Sequence, residues 1–354
     1  MRIEEYCPDQ FPKLKDYWKK LDNGEDMTIF QSYEWYLWIN DAYKKEKIKS
    51  IFRQWVYIVC FDENEEPIMI APIQVVKKSI YIKGIGLKKG AYFIGRKGYS
   101  DYLGFIYHSF NPVACKGIMN YLRTTYSIHH FELENVLVDT DFYCFLHAEY
   151  IINQSHQYPS AAVYLSNTIE EYTSSLKKHA KQNIRTAINR QKRDGLSFSR
   201  EVVFNTNSDL QNTLLEIRKK RLGDKNKKAI KKISSKIYNW AHDCIVERFN
   251  ADISVFDTGL PEWSFLVKNN NQIIGFYWGI RDIERKRYYV ILAGVEMEYA
   301  WYSPSFSGLY QWICELTEKE NREVEIIDFT VGNERYKTDI GGVVRNIEML
   351  SFDI

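Results

Sequence analysis

Apolar spacing divides the chain into two stretches, each alternating helical and strand periods. In the first, MTIFQSYEWYLWINDAYKK (27–45) repeats apolar residues three and four apart and predicts a helix. WVYIVCF (55–61) and PIMIAPIQVV (67–76) read as strands joined by the charged turn DENEEP. SIYIKGIG, AYFIG and LGFIY continue the strand series, and NPVACKGIMNYLRTTY opens a helix with Asn111 as N-cap and Pro112 at its first position. FELEN and YIINQSHQ add two further strands.

The second stretch begins with a capping box, Thr168 and Glu171, before a helical region that Gly195 ends. SFSREVVF is then a strand, and SDLQNTLLEIRKKR and IYNWAHDCIVERF (237–249) are helices. Strands follow in WSFLVK, QIIGFYWGIRD and RYYVILAGVEM, then a helix in SPSFSGLYQWICELTEKE. EVEIIDF is a strand, NERYKTD a short helical turn or loop, and VVRNIEMLSF a last strand. The pattern is α+β with mostly antiparallel sheet.

At 354 residues the chain suggests two domains, expected at 1–165 and 166–354. Composition is that of a compact globular protein, with 45% hydrophobic and 27% charged residues. The six cysteines form no CxxC pair and the seven histidines no HExxH set, so buried thiols and no metal are expected. The opening MRIEEYCPDQF lacks the apolar core of a signal peptide, and no run of about 18 apolar residues occurs. A cytoplasmic protein without membrane insertion is expected.

The net charge of +2 is unevenly placed. Residues 1–165 sum to −1, residues 166–236 to +11 and residues 237–354 to −8. A confined basic block favours a local anionic partner over a general nucleic-acid surface. Its densest part, KKHAKQNIRTAINRQKRDG (177–195), holds seven cations against Asp194. Leu176, Ala180, Ile184, Ala187 and Ile188 make a packing stripe along it. Lys178 and Arg185, one heptad apart, can reach one anion, while Arg190 and Arg193 project elsewhere. RKKRLGDKNKKAIKK (218–232) reads as a basic connection facing water, an acidic acyl carrier protein or RNA.

Five segments in order, FQSYEWYLWI, YSDYLGFIY, the 177–195 helix, YSPSFSGLY and DFTVGNERYKTDIGG, resemble the marks of a two-domain GNAT acyltransferase family. That family includes the CelD-like enzymes of bacterial polysaccharide clusters and is related to the Fem aminoacyl transferases. The resemblance implies two GNAT-like domains, each a mixed, mostly antiparallel sheet flanked by helices. The first would serve the acceptor and the second would bind the acyl donor and carry the reaction. Relatives often have SPG where this chain has Ser303-Pro304-Ser305, with Gly308 further on.

The chemistry of acyl transfer then selects residues. Ser303, Ser305, Ser307 and Gly308 stand where a strand turns into a helix, whose N–H groups would face the pyrophosphate of acyl-CoA; a merely capped helix would look the same. Gly294, in a bulky strand, suits a bulge that offers an N–H to the thioester carbonyl, or makes room for a neighbour. Tyr336 and Lys337 supply a phenol to protonate the leaving thiolate and an ammonium to stabilise negative charge. Lys337 also resembles the lysine of the Fem enzymes. Asp328 is a candidate base, or a turn former; Asp101, with Tyr102, is a candidate contact to a sugar hydroxyl or amine, or likewise opens a turn. Lys178 and Arg185 would hold the diphosphate of a nucleotide- or lipid-linked sugar acceptor, or the phosphates of an acyl donor; a solvated face would look the same. No cysteine with a histidine partner stands out, so direct attack of the acceptor is expected.

The expected activity is transfer of an acyl group, acetyl foremost, from acyl-CoA as co-substrate to an amine or hydroxyl of a sugar or surface-polysaccharide precursor. Two alternatives stay open: an aminoacyl-tRNA-dependent transferase acting on a peptidoglycan precursor, and a non-catalytic binder of anionic polymers. Nucleic acid is expected as a partner only where tRNA is the donor.

Overall fold

The computed structural model describes residues 1–45, 53–82, 85–95, 99–230 and 255–354. The helix expected at 237–249, with Cys244, lies outside them. The chain divides into two compact units, one made of 1–159 with 345–354 and one of 160–344.

In the first unit the strands are β1 (Arg2–Tyr6), β2 (Arg53–Phe61), β3 (Pro67–Val76), the small pair β4 (Ile80–Ile82) and β5 (Ile85–Leu87), β6 (Gly90–Phe93), β7 (His130–Leu137), and the larger parts of β8 (Ile152–Tyr164) and β14 (Val343–Asp353). The helices are α1 (Lys15–Leu21), α2 (Tyr33–Lys45), α3 (Pro112–Tyr126) and α4 (Asp141–Glu149). Sheet order runs β1-β2-β3-β6-β7-β14. All pairs are antiparallel except β6 with β7, which run parallel at Ala91↔Phe131 and Tyr92↔Glu132. Asn111 caps α3 as expected, its Oδ1 accepting from the N–H of Ala114 at 3.0 Å. Aromatic rings fill the core: Phe11 stacks on Tyr33 at 5.0 Å, and Trp18 packs on Tyr36 at 4.9 Å.

The second unit contains α5 (Ile169–Ser175), α6 (Lys178–Arg193), β9 (Phe198–Phe204), α7 (Ser208–Ile230), β10 (Glu262–Asn269), β11 (Gln272–Asp282), β12 (Arg287–Val295), α8 (Pro304–Glu318), β13 (Ile326–Val331) and α9 (Arg335–Asp339). Its sheet is the antiparallel run β9-β10-β11-β12, then β13 parallel to β12, then the end of β8 antiparallel to β13. Thr168 and Glu171 form the expected capping box, but Leu176, with ψ of 139°, breaks the helical region into α5 and α6. Gly195, at φ of +69°, takes the left-handed turn that ends it. The stretch expected as a connection beyond Arg218 continues α7 as helix to Ile230. Phe265 stacks on Trp312 at 4.7 Å in the core.

LGFIY is not a strand; it makes only the isolated bridges Ile70↔Ile106 and Leu103↔Val136. Cys60 and Cys115 are buried and Cys314 half-buried, whereas Cys7 and Cys144 are exposed on helix starts. Among the described residues no group of His, Cys, Asp and Glu is arranged to hold a metal ion, and no helix is long and apolar enough to cross a membrane.

Candidate functional site

The second unit is organised around two parallel strands that part. β12 and β13 pair only from Arg287↔Ile326 to Tyr289↔Asp328, although β12 continues to Val295. Asp328 sits at the root of the divergence. It is fully buried, and its Oδ1 accepts from the N–H of Thr330 at 2.8 Å. That bond holds Thr330 at φ of 55°, a left-handed bend that turns β13 aside and shifts its register with β8. The Arg287 guanidinium lies 3.8 Å from the other carboxylate oxygen.

The opening is a cavity of about 210 Å³ beside Ala293, Gly294 and Val295, closed by Ser303–Phe306, Tyr277 and Tyr336. The N–H of Glu296 donates to Ile274 on β11. Because successive residues of a strand point to opposite edges, the N–H groups of Val295 and Ala293 face away from β11, toward the parting. The carbonyl of Ala293 shares that edge and is reached by Arg218 and Arg221 of α7, at 3.4 and 3.3 Å. Gly294 lines the cavity and serves close packing, since a Cβ there would lie 2.3 Å from the Phe276 ring.

The start of α8 forms one wall. Ser303 is its N-cap in a left-handed conformation (φ 46°), with no side-chain cap bond, and Pro304 follows. The first turn therefore presents the N–H groups of Ser305 and Phe306 at the cavity, at the positive end of the helix dipole. The Ser305 hydroxyl donates to the carbonyl of Gly294 at 3.1 Å. Ser307 and Gly308 lie deeper. Ser307 accepts from Gln191 of α6 at 3.1 Å, and Gly308 lets α8 approach β10, where a Cβ would lie 2.7 Å from Val267.

Tyr336 and Lys337 part company on α9. Lys337 is buried, and its Nζ donates to the carbonyls of Val331 and Thr330 at 3.0 and 3.3 Å and pairs with Glu334 at 3.1 Å. It ties the end of β13 to α9. The Tyr336 ring packs against Phe329 and Tyr277 and lines the cavity. Burial, reinforced by Glu334, pushes its phenol above the usual value, so it keeps its proton.

Tyr336, Phe306 and Ser303 also border a second cavity of about 340 Å³, lined further by Asn183, Thr186 and Arg190 of α6 and by Arg335 and Asp339. His179 Nε2 lies 2.6 Å from the buried Asp339 carboxylate, and Arg335 3.5 Å from its other oxygen. Arg190, His179, Asp339 and Arg221 were missed by sequence reasoning. A signal existed: the uncharged Asn183 and Thr186 interrupt the basic run at helical spacing from Arg190.

The remaining expected residues lie elsewhere. Lys178 and Arg185 are exposed on α6 and line neither cavity. In the first unit Tyr102 is buried at φ of 55°, its ring 5.7 Å from Phe30, and Asp101 is half-buried beside it. Their segment fills the place where β6 ends. Leu103 N–H donates to Asn135 at 2.8 Å, Ile106 and Ile70 exchange bonds at 2.8 and 2.9 Å, and Asn135 and Trp35 anchor Ser100. A separate polar hollow of about 410 Å³ in this unit is lined by Lys88, Lys89, His130, Asn153 and Asp353.

Comparison with known proteins agrees with this architecture. Residues 178–338 match the acetyltransferase (GNAT) domain family. No curated protein matches the chain. The crystal structure of FemX superposes with a TM-score of 0.57 at 10% identity, covering 98% of this chain and 97% of that one. The structure of L-PGS from Bacillus licheniformis gives 0.50 at 10% identity over 96% and 90%. A conserved protein of unknown function from Bacteroides thetaiotaomicron gives 0.50 at 10% identity over 99% of both chains. At such identities the likeness is one of fold. The parted strands, the open helix start and the matched segment coincide in the second unit: residues 178–338 carry the match to the acetyltransferase (GNAT) domain family, within a chain whose fold is like that of FemX.

Proposed function

We propose that the protein transfers an acyl group from coenzyme A to an amine or hydroxyl of a sugar or surface-polysaccharide precursor, with the chemistry in the second unit. The observation that carries this reading is the cavity between the parted strands, where free N–H groups of β12 and the start of α8 meet a protonated phenol. In this reading the thioester carbonyl lies against the N–H groups of Ala293 and Val295, which stabilise the developing oxyanion. The donor's phosphates sit at the N–H groups of Ser305 and Phe306. The acceptor nitrogen or oxygen attacks the carbonyl carbon, the new bond forms and the C–S bond breaks. Tyr336 gives its proton to the leaving thiolate and regains one from the acceptor through solvent. Lys337 and Asp328 are positioning residues, since both hold the turn that aims Tyr336.

A second donor, aminoacyl-tRNA, is supported by the FemX-like fold and by α7, whose basic end brings Arg221 to the same cavity. The acceptor would then be a peptidoglycan precursor. A non-catalytic polymer binder has less support. Cations of the basic block are paired with carboxylates of the acidic segment, as in Arg200 with Glu315 at 2.5 Å and Lys220 with Glu296 at 3.0 Å.

Free-thiol release from a panel of acyl-CoAs, with amino-sugar nucleotides as acceptors, tests the first reading; acceptor-dependent thiol supports it. Absence of thiol release together with transfer from charged tRNA would move the donor to the second reading. Absence of both, with no binding of coenzyme A, would remove the transferase reading.

A further inference from the structure

Among the described residues the tryptophans are interior with one exception. Seven of the described tryptophans, Trp18, Trp35, Trp38, Trp55, Trp263, Trp278 and Trp312, expose 8% or less of their surface, whereas Trp301 exposes 59%. An exposed indole forgoes the burial that drives the others inward. It is also held still. The Arg190 guanidinium stacks over its ring at 3.6 Å, and Arg190 Nη1 donates to the Trp301 carbonyl at 3.0 Å. Gln191 donates to the next carbonyl, that of Tyr302, at 3.1 Å, and the Tyr302 hydroxyl donates to Asp194 at 3.0 Å. The segment before α8 is thus clamped onto the end of α6 at the tryptophan and at the residue after it.

The position of this indole gives it a use. Arg190, which backs the ring, also lines the 340 Å³ cavity, as does Arg335. Ser303, two residues beyond Trp301, borders both cavities. A donor whose acyl end lies between the parted strands and whose phosphates pass the start of α8 would bring its far end to this corner. In coenzyme A that far end is an adenosine joined to the phosphates, whereas the terminal adenosine of a charged tRNA bears the acyl group itself and would lie beside it. A rigid aromatic face beside guanidinium groups is the surface on which a nucleobase stacks while its phosphates are neutralised.

We propose that Trp301, backed by Arg190, is the stacking platform for the adenosine of coenzyme A, with Arg190 and Arg335 meeting the adjoining phosphates in the 340 Å³ cavity. The proposal rests on the acyl-transfer reading and adds the nucleoside subsite to it. It assigns the donor's cations to Arg190 and Arg335, in place of Lys178 and Arg185.

Calorimetric titration of the full chain with coenzyme A, pantetheine and the RNA trinucleotide CCA tests it. Trp301→Ala is expected to weaken coenzyme A by about tenfold, to leave pantetheine unchanged, and to keep the thermal midpoint; Trp301→Phe should retain most of the affinity. A loss for CCA with none for coenzyme A overturns the platform as a coenzyme A subsite. Unchanged affinity in Trp301→Ala overturns the platform while leaving the transferase reading intact, and so does an equal loss for pantetheine. Failure of the wild type to bind coenzyme A overturns both.

Discussion

The two units share a local plan and differ in one connection. Each has a pair of parallel strands joined through a helix that begins with proline, β6 to α3 to β7 in the first and β12 to α8 to β13 in the second. In the first, the connection spans residues 94–111 and doubles back, so that Leu103 and Ile106 bridge β7 and β3 where β6 has ended. In the second, it spans only 296–303, and nothing among the described residues returns to fill the parting. The helix starts differ in the same sense: Asn111 closes α3 with its own side chain, while Ser303 leaves α8 open. An acyl donor needs a free strand edge and an unoccupied helix start together. Only the second unit offers both among the described residues.

This contrast can be broken deliberately. Filling the open parting is expected to have the largest effect: Ala293→Phe should abolish donor binding, measured by titration with coenzyme A, because the new ring enters the 210 Å³ cavity. Emptying the closed one should cost stability. Phe105, fully buried against Phe93 and Phe142, is part of the filling segment, and Phe105→Ala is expected to lower unfolding free energy by about 3–5 kcal/mol in denaturant titration without creating a donor site.

Tyr336→Phe keeps the cavity and removes its proton, so kcat should fall by about 100-fold with donor affinity retained. The sign of the pH dependence follows from the raised phenol pKa. The folded protein holds this proton above the ordinary value of 10.0, so the protonated, active form persists past that pH. An alkaline limb attributable to Tyr336 that begins below pH 10.0 would contradict the assignment. Smallest is the difference in capping. Asn111→Ala should cost about 1 kcal/mol in thermal or chemical unfolding, and Ser303→Ala, which removes no cap bond, less than about 0.5 kcal/mol.

Local signals were legible where they decide structure locally. The cap at Asn111, the box at Thr168 and Glu171, and the strand periods of 55–61 and 67–76 each appear in place. The YSDYLGFIY segment shows the limit. Its alternation resembles a strand, but its role is to fill a gap between β3 and β7, and that gap exists only once distant elements have assembled. For the same reason Tyr102, a candidate substrate contact in the sequence, is a core ring in the fold. On α6, a heptad relation singled out Lys178 and Arg185, yet the cation that borders a cavity is Arg190, because the short 3₁₀ turn Met297–Tyr302 and α8 pack against that part of the helix. Adjacency of Tyr336 and Lys337 was visible; which of them faces the cavity depends on the bend at Thr330.

The closing strand sets an order of assembly. Residues 345–354 belong to the first unit, where Ile347 pairs with Leu137, Phe352 stacks on Phe131 at 5.3 Å and Glu348 accepts from Tyr143 at 2.8 Å. On the ribosome these residues emerge only after 160–344, and at about 5–20 residues per second that delay is on the order of ten seconds or more. Throughout that interval the nascent first unit carries an unpaired edge along β7, a surface for chaperones to cover and for a misplaced strand to occupy. The unit translated first is therefore completed last.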